Sequence, residues 1–591
     1  MARNKFDVDE NLESPFDIKH FRRAMVYIRR KKKPMIVAFI LSALSAAIAL
    51  SAPLIMQHVV DVTIPAKDKL PLLGWSILML LTIVVSVYLA TIRSRIMTNV
   101  GQDIIFEIRT DLFKHLQDLP FKYYDDRPQG KILIRVVNYV NAVSDVLSNG
   151  IINFILEIVN LIFIAVFMFA VDVRLSFVIL AGLPVFLGVM LMIKTRQRRA
   201  WQAVSNKSSN LNAYMQESIS GIGVTQIFSR EQHNEGIFTR LAGNFRTEWL
   251  RALRYNMLIP FSVDNLSTIV TALIFLVGLL TLDPKDMTLG VILAMSSYAA
   301  RFWQPILNLS NLYNNFINAV AYLERIFETL DEPVTVSDIP DARELPPVQG
   351  RVTFDDVTFA YDPGLNILEN ISFDVKAGES IALVGPTGAG KTTVVNLISR
   401  FYNLTGGRIL IDGQDISQIT LKSLRSQMGI MLQDSFIFSG TILDNIRYGR
   451  PDASEEEVIA AAKAVCADDF IREFDLGYLT EVNERGSKLS QGQRQLISFA
   501  RTLLADPRIL ILDEATSSID AKTERLLQRG LNELLKRRTS FIIAHRLSTV
   551  KNCDRIMYVS NKGIAESGSH DELIAQRGLY HRLYTAQKME A

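Results

Sequence analysis

A glycine-rich run that ends in lysine and threonine is the segment of the sequence with the clearest chemistry. Residues 385–392 read GPTGAGKT and match the pattern G-x-x-x-x-G-K-[ST]. A strand-like apolar run at 381–384 precedes it and a helix-like run at 393–399 follows, as this pattern requires. Glycines let backbone N–H groups converge on phosphate oxygens at a helix N-terminus, where the helix dipole favours anions. The segment therefore predicts a site for the phosphates of a nucleotide.

Two side chains of this loop have predicted roles of their own. Lys391 would neutralise the β- and γ-phosphates of ATP, and the Thr392 hydroxyl would hold Mg²⁺. The predicted ATP-binding residues of the segment are Gly385, Pro386, Thr387, Gly388, Ala389, Gly390, Lys391, Thr392 and Thr393.

Two further strand-like segments end in polar residues that suit the same chemistry. Residues 509–512 (ILIL) lead to Asp513 and Glu514, and buried carboxylates are costly unless a cation lies beside them. We predict that Asp513 holds Mg²⁺, directly or through water, and that Glu514 polarises the attacking water. The alternative is an acidic pair that caps a helix. Residues 541–544 (FIIA) lead to His545, which fits a γ-phosphate sensor here, although such a histidine alone is more often structural.

The first half of the chain contains apolar runs of membrane-spanning length. Residues 34–60 and 70–92 include no Asp, Glu, Lys or Arg, and about 20 apolar residues suffice to cross a bilayer. Four further runs are interrupted at most once, by Glu157, Asp264 or Arg301; they are 146–171, 175–193, 257–282 and 287–309. Six spans are therefore predicted. Six buried helices of a soluble protein are the alternative, but core helices rarely extend past 20 residues without a charge.

The distribution of cations predicts the orientation of these spans. Seven basic residues between 22 and 33 precede the first span, whereas the three short loops on the opposite side contain four in all. Cytoplasmic loops collect such cations, so both termini are expected in the cytoplasm of a multi-pass protein of the cell membrane. Five apolar residues in 1–33 predict an amphipathic elbow helix on the membrane surface: Phe16, Ile18, Phe21, Met25 and Ile28.

Composition excludes several classes of protein. The chain is 49% hydrophobic and 21% charged, with a mean hydropathy of +0.19, which excludes a disordered protein and an ordinary soluble enzyme. A net charge of +3 gives no polycation to hold nucleic acid. Two cysteines, Cys466 and Cys553, exclude a disulfide framework and a zinc cluster.

The predicted fold is an all-α transmembrane domain with six helices, followed by an α/β P-loop NTPase domain. We expect the N-terminal cytoplasmic segment at 1–33, the transmembrane domain at 34–330 and the nucleotide-binding domain at 351–591. A linker with four prolines fills 331–350 between them.

Residues 489–493 (LSQGQ) complete a set of motifs that resembles ATP-binding cassette (ABC) transporters of the half-size exporter type. The resemblance covers nearly the whole chain, in the order of six spans and then one cassette. It implies further site residues: Tyr361 for adenine stacking, Gln433 for catalysis and Mg²⁺, Asp520 in the D-loop, His545 as the switch histidine, and Ser490, Gln491, Gly492 and Gln493 in the signature loop. Gln491 stands where the family most often has glycine.

The resemblance also implies a dimer, with an identical copy or a paralogous half-transporter, in which each signature loop contacts the partner subunit's ATP. The implied function is ATP-hydrolysing export of hydrophobic or amphipathic compounds, such as drugs, lipids or peptides. Glu157 and Arg301 are the candidate residues of the substrate pathway, because intramembrane charges mark such paths. The alternative is an ATP-gated channel or a regulatory membrane protein, and Glu514 argues against it because a switch needs no water-activating carboxylate. No nucleic-acid partner is expected.

Overall fold

The computed structural model describes residues 18–125, 127, 129–145, 150–281, 288–362, 364–431, 435–483, 486–514, 521–544 and 550–590. The chain divides into two compact units. The first comprises Met1–Gln117 and Gln129–Glu332, and the second comprises Asp118–Pro128 and Pro333–Ala591. The short segment 118–128 therefore belongs to the second unit, although it lies between helices of the first.

The first unit is helical throughout its described residues. In chain order, with α5 belonging to the second unit, the helices are α1 (Ile18–Arg30), α2 (Lys32–Leu50), α3 (Ala52–His58), α4 (Lys69–Asp118), α5 (Phe121–Asp125), α6 (Gln129–Ile134), α7 (Val140–Asp145), α8 (Ile151–Val171), α9 (Val173–Ser220), α10 (Ile222–Ile227), α11 (Glu231–Thr281) and α12 (Leu289–Leu330).

The described residues of each of the six predicted spans lie on one of these helices or helix pairs, and residues 146–149, 282 and 287 of the spans lie outside the described part. Among the described residues, five helical segments are long and apolar enough to cross a membrane: Lys32–Thr63, Lys69–Asp118, Ile152–Val171, Val173–Ser220 and Glu231–Gly278. The sixth predicted span lies on α12, which has 42 residues but is more polar because its first half includes Arg301 and Gln304. Large apolar side chains along the first part of α4, such as Leu70 and Leu80, are exposed, as lipid-facing residues are.

Four of the helices extend far beyond the thickness of a bilayer. The helices α4, α9 and α11 have 50, 48 and 51 residues, and α12 has 42. Since a span needs about 20 residues, more than half of each helix lies outside the hydrocarbon. The sequence predicts that spans two to five continue as helices below the membrane; the lengths of α4, α9 and α11 agree with this prediction, whereas the third span lies on α8, which has 21 residues.

The predicted elbow helix is present as α1, and ion pairs join its end to α4. Arg30 pairs with Glu107 at 3.0 Å, and Lys31 pairs with Asp103 at 2.7 Å. Part of the basic block before the first span is therefore neutralised within the unit. Of the five apolar residues predicted for the elbow, Phe16 and the side chains of Ile18 and Phe21 lie outside the described part of the chain.

The first span contains a break at Ser51. Helix α3 starts with Pro53 in its first turn, and proline has no N–H to donate to the carbonyl of Ala49. The N–H of Leu54 donates to Ser51, so the carbonyl of Leu50 also loses its helical donor. Two side chains of α12 replace them. The Tyr298 hydroxyl donates to the Leu50 carbonyl at 2.8 Å, and the Arg301 Nη1 donates to the Ala49 carbonyl at 3.1 Å.

The second unit is an α/β structure with two main sheets. An antiparallel sheet has the order β2-β1-β4-β5, and a six-stranded sheet has the order β12-β11-β3-β10-β9-β6. In the larger sheet all neighbours are parallel except β11 and β12. The strands are β1 (Val352–Ala360), β2 (Asn366–Val375), β3 (Ser380–Val384), β4 (Gly406–Ile411), β5 (Gln414–Asp415), β6 (Met428–Met431), β7 (Gly440–Thr441), β8 (Glu481–Val482), β9 (Ile509–Glu514), β10 (Thr539–Ala544), β11 (Arg555–Ser560) and β12 (Gly563–Gly568).

The helices of the second unit pack on two hydrophobic clusters. They are α13 (Lys391–Ile398), α14 (Leu421–Arg425), α15 (Ile442–Arg447), α16 (Glu455–Ala464), α17 (Asp468–Arg472), α18 (Gln491–Ala505), α19 (Ala521–Leu535), α20 (His570–Gln576) and α21 (Leu579–Glu590). The helix α13 contributes Val394 and Leu397 to one cluster, whereas α18 contributes Leu496 and Phe499 to the other. The strands predicted at 509–514 and 541–544 are both central strands of the larger sheet.

A carboxylate joins the first and last spans at one end of the first unit. Asp61 accepts a hydrogen bond from the Thr288 hydroxyl and another, at 2.8 Å, from the N–H of Gly290 in the first turn of α12. A Cβ at position 290 would lie 2.4 Å from Asp61 Oδ2, so only glycine fits there. The negative charge also suits the dipole at the N-terminus of α12.

Replacing Asp61 with Asn should destabilise this junction, because one of the two donors would then face an amide N–H₂ group. We expect the free energy of unfolding to fall by about 1 kcal/mol. Thermal unfolding of the purified protein in detergent would show this as a lower Tm. The matched control is Asp68→Asn: the exposed Asp68 accepts one hydrogen bond, from the N–H of Leu70, which the Asn oxygen can replace. Equal Tm values for the Asp61→Asn variant and the unmodified protein would contradict this role.

Candidate nucleotide site

The phosphate loop predicted from the sequence connects β3 to α13. Its first residue, Gly385, has a φ of 141°, a region that side-chain-bearing residues rarely adopt. A Cβ there would lie 2.2 Å from the carbonyl oxygen of Val559 in the neighbouring β11. Close packing against the sheet therefore fixes the start of the loop and requires glycine at this position.

The N-terminus of α13 has no side-chain cap. Its N-cap residue is Gly390, with a φ of 100°, and no side chain accepts from the first turn. By contrast, four other helices of the unit begin with complete capping boxes, in which Thr441, Ser454, Ser490 and Ser569 accept from the third helical residue. The first N–H groups of α13 need an acceptor, and the dipole favours an anion there. The site fits the phosphates of a nucleotide.

Lys391 lies folded over this loop. Its Nζ donates to the carbonyls of Gly385 at 2.8 Å and Pro386 at 2.9 Å, and the residue is 8% exposed. Burial lowers the pKa of the Lys391 ammonium, and the Asp513 carboxylate opposes this shift. Since a buried cation is costly, a phosphate anion beside Lys391 would stabilise its charged form. The geometry agrees with the role predicted for this lysine.

The acidic strand end lies at the same edge of the sheet as the loop. Strand β10 pairs with β3 on one side and β9 on the other, and Ile543 is in register with both Leu383 and Asp513. The register places Glu514 one residue further along, at the end of β9. The sequence predicted this convergence from the two apolar strands. The side chain of Glu514 and all of Gln433, Asp520 and His545 lie outside the described residues, so their roles stay predictions.

Tyr361, predicted to stack on adenine, follows β1 and contacts the phosphate-loop helix. Its hydroxyl lies 3.1 Å from the Thr393 Oγ1, and its ring meets the ring of Tyr402 edge to face, with centroids 5.0 Å apart. Its ring is therefore held beside the start of α13. The sequence analysis did not identify Tyr402 as a neighbour, because the contact joins segments about 40 residues apart.

The segment 118–128 packs against this aromatic pair. Lys122 Nζ donates to the backbone carbonyl of Tyr361 at 2.7 Å, and the Tyr402 hydroxyl donates to Asp125 at 2.6 Å. Phe121 stacks on Phe401 with centroids 5.1 Å apart. A short turn between two long membrane helices is therefore bonded directly to the predicted adenine-binding residue. The sequence analysis did not identify Phe121 and Lys122, whose significance depends on these tertiary contacts.

The signature residues lie at the start of α18. Ser490 is its N-cap and accepts from the N–H of Gln493, while the Gln493 side chain accepts from the N–H of Ser490. Ser490 and Gln491 are exposed, and Gly492 is buried. No hydrogen bond or ion pair among the described residues joins Ser490 to Lys391, and the two helices pack on different hydrophobic clusters.

The residues present fit a magnesium ion that is shared with phosphates. Within the described part of the chain, no three His, Cys, Asp or Glu side chains cluster as a metal site would require. Mg²⁺ usually needs only one or two protein oxygens beside phosphate and water ligands. Thr392 and Asp513, with Gln433, could supply those oxygens, and the ion would neutralise charge on the phosphates.

Together, a phosphate loop at a sheet edge and a set of long apolar helices define a membrane-embedded P-loop ATPase. The ABC transporter transmembrane region matches residues 35–306, and the ABC transporter ATPase domain matches residues 368–517. The chain belongs to the ABC transporter family, as a half-transporter of the exporter type that fuses a transmembrane domain to a transport ATPase. It is a multi-pass membrane protein that binds ATP.

Relatives and a solved structure support this assignment along the whole chain. An uncharacterized ABC transporter ATP-binding protein of Bacillus subtilis, YknV, is 41% identical over 99% of this chain and 98% of its own length. A fatty acid ABC transporter ATP-binding/permease protein of Mycobacterium bovis is 37% identical over 84% of this chain and 78% of its own. The structure of a bacterial Atm1-family ABC exporter with ATP bound superposes with a TM-score of 0.78, at 29% identity, covering 94% of this chain and 98% of that one.

Replacing Lys391 with Ala should abolish nucleotide binding, because the loop would lose the cation that faces the phosphates. We expect ATP hydrolysis to fall by about a hundredfold or more, which corresponds to about 3 kcal/mol of lost stabilisation. The increase in Tm on adding ATP should also disappear. The control is Lys422→Ala, on the exposed face of α14. An unchanged ATP-induced Tm increase in Lys391→Ala would contradict the role of this lysine.

Proposed function

We propose that two copies of this chain, or one copy with a paralogous subunit, form an ATP-driven exporter of amphipathic compounds in the cell membrane. Both termini would lie in the cytoplasm, as the distribution of cations predicts. The observation that carries the proposal is the set of bonds between the segment 118–128 and the Tyr361–Tyr402 pair. Through them, a nucleotide bound at Tyr361 would act directly on a turn between two membrane helices.

In this proposal different residues of the chain bind the nucleotide, hold Mg²⁺ and activate the attacking water. The loop 385–393 binds the phosphates with backbone N–H groups and Lys391, and Tyr361 binds adenine. Asp513 and Thr392, with Gln433, would hold Mg²⁺, and Glu514 would take the proton of the water that attacks the γ-phosphate. His545 would sense the γ-phosphate and Asp520 would lie at the subunit interface, both by resemblance to the family.

The dimer is supported by the separation of the two halves of the site. The exposed loop 490–493 has no described contact with the phosphate loop of its own chain, so a second subunit is the natural source of a complementary loop. Gln491, in place of the usual glycine, keeps the backbone N–H groups at the start of α18.

Exposed apolar side chains at the turn between α9 and α11, called the tip below, also support a second subunit. Ile219, Ile227 and Phe228, at the turn between α9 and α11, are 72%, 80% and 70% exposed. The helix α9 is about 70 Å long at 1.5 Å per residue, whereas the hydrocarbon is about 30 Å thick, so the tip lies outside the lipid. Apolar surface of this kind in water marks a protein interface. We infer that the other subunit covers it.

The apolar length of the spans and the name of one relative support an amphipathic cargo. The relative from M. bovis carries fatty acid transport in its name. In this chain the aromatic residues Phe302 and Trp303 of α12 are 2% and 1% exposed and belong to the core of the first unit. They are packing residues, so cargo contacts would come from exposed side chains of the spans.

Replacing Glu514 with Gln should stop hydrolysis while ATP still binds, because the amide is a poor base but similar in shape. We expect the rate of hydrolysis to fall by about 10²- to 10⁴-fold and ATP-driven transport into proteoliposomes to stop. Glu455→Gln, an exposed position on α16, is the control. Undiminished transport in Glu514→Gln would contradict an exporter and favour an ATP-gated channel.

The same variant tests the dimer. With ATP and Mg²⁺ bound but not hydrolysed, Glu514→Gln should persist as a particle of twice the 66.5 kDa of one chain in light scattering. One ATP per chain should remain bound after gel filtration. A monomer that retains ATP would contradict the dimeric site.

Replacing Lys122 with Ala should weaken coupling between nucleotide and spans, because its bond to the Tyr361 carbonyl would be lost. A hydrogen bond of this kind contributes about 1 kcal/mol, so we expect the amount of cargo moved per ATP hydrolysed to fall by about fivefold. Lys114→Ala is the matched control, since Lys114 is exposed on α4, eight residues before Lys122. The two rates are measured in the same proteoliposomes. An unchanged ratio in Lys122→Ala would show that coupling does not pass through this contact.

A further inference from the structure

Arg301 is a deeply placed cation in the membrane-spanning part of the first unit. It lies 13 residues after Thr288, which precedes the first residue of α12. At 1.5 Å per residue this is about 20 Å below that end of the helix, in a hydrocarbon layer about 30 Å thick. That leaves about 10 Å to the opposite face of the layer, and the bond of the guanidinium to the Ala49 carbonyl holds it within the hydrocarbon rather than at the headgroups. A charge at this depth is costly and is therefore expected to serve a function.

The guanidinium is held in a fixed place by the break in the first span. Arg301 Nη1 donates to the Ala49 carbonyl, which Pro53 leaves without a helical donor. Three residues earlier, the fully buried Tyr298 binds the adjacent Leu50 carbonyl. One of the five guanidinium N–H groups is used in this bond, and the side chain remains exposed. The remaining donors are available to a ligand.

No acidic side chain neutralises Arg301 in the described part of the chain. None of the ion pairs there includes it, and the carboxylate of Glu157 accepts instead from the Asn308 amide at 2.7 Å. The described contacts include no pair among Glu157, Asp264 and Arg301. Arg301 is therefore a fixed cation whose counter-charge is absent from its surroundings.

Arg301 belongs to a polar stripe along one face of α12. The spacing of three and four residues places its members on one side of the helix. They are Ser297, Arg301, Gln304, Asn308, Asn311 and Asn315, all of them exposed except the half-buried Asn308. The buried Tyr298, Phe302 and Trp303 pack into the core of the unit instead. The stripe offers hydrogen bonds along the helix and a single positive charge at Arg301.

We propose that Arg301 binds the anionic headgroup of the exporter's amphipathic cargo, a carboxylate or a phosphate. The planar guanidinium matches both groups with paired hydrogen bonds, and in the low dielectric of the membrane such bonds are strong. The amides of the stripe then provide hydrogen-bond partners for the headgroup on either side of the arginine. This inference rests on the proposed function, since it names the charge of the cargo that the dimer would move.

The test uses single-chain amphiphiles of equal chain length with the full-length protein in nanodiscs. A fatty acid, an alkyl phosphate, a fatty alcohol and an alkyl ammonium are compared by the concentration that half-maximally stimulates ATP hydrolysis. In the unmodified protein we expect the two anions to act at concentrations about tenfold lower than the alcohol, and the ammonium to be weakest. The fatty acid and the alkyl phosphate distinguish the two anionic headgroups. Equal potency of the alcohol and both anions would overturn the proposal.

Variants assign the preference to Arg301. Arg301→Gln should remove the difference between anion and alcohol, whereas Arg174→Gln, at the exposed start of α9, should leave it unchanged. An undiminished anion preference in Arg301→Gln would overturn the assignment. If Arg301→Gln does not fold, Arg301→Lys tests whether Arg301 sets the anion preference. Because lysine retains the charge, the anions should still act at lower concentrations than the alcohol. Loss of the preference for both anions would overturn the proposal.

Failure of this inference is distinguishable from failure of the proposed function. If amphiphiles of every charge stimulate hydrolysis and are transported equally, the proposed export function is supported and the headgroup site at Arg301 is contradicted. If none of them stimulates hydrolysis or moves across proteoliposome membranes on addition of ATP, both the proposed function and this inference are contradicted.

Discussion

The uncapped N-terminus of α13 is the constraint on which the rest of this structure depends. Other helices of the same unit use serine or threonine to satisfy their first N–H groups, whereas α13 begins at Gly390 with none. Leaving those N–H groups without acceptors and burying the Lys391 ammonium both cost free energy. A bound anion offsets this cost. The sheet holds this point firmly, because Gly385 packs against the Val559 carbonyl and β9 brings Asp513 to the same edge. The start of α13 therefore gains hydrogen-bond acceptors and a counter-charge when a nucleotide binds.

A short segment between the second and third spans belongs to the unit that contains the phosphate loop. The turn 118–128 interrupts the long helical run between the second and third spans and is bonded to Tyr361 and Tyr402 beside α13. Within the first unit, the first span is broken at Ser51, and α12 supplies Tyr298 and Arg301 to the carbonyls that the break exposes. The same break fixes the cation proposed to select the cargo.

Local patterns in the sequence predicted the elements of the site well. The run 381–392 predicted strand, loop and helix together, because glycine spacing and apolar runs act over a few residues. Charge-free apolar runs predicted six spans; five of them lie on helices that are long and apolar enough to cross a membrane, and the sixth lies on the more polar α12. Tertiary contacts were beyond such patterns. The partnership of Arg301 with Ala49, that of Glu157 with Asn308, and the bond from Lys122 to Tyr361 each join residues more than 100 positions apart. No local period encodes them.

The central claim is that ATP bound at the phosphate loop moves the membrane helices. It is tested most directly by the distance between two spin labels, one on each copy of the chain, at the exposed position 235 of α11 after replacement of Cys466 and Cys553. The distance is measured by pulsed electron paramagnetic resonance in nanodiscs, in the Glu514→Gln background. The account predicts a clear shortening when ATP and Mg²⁺ are added, and none when Lys391 is also replaced by Ala. Identical distance distributions with and without ATP would contradict it.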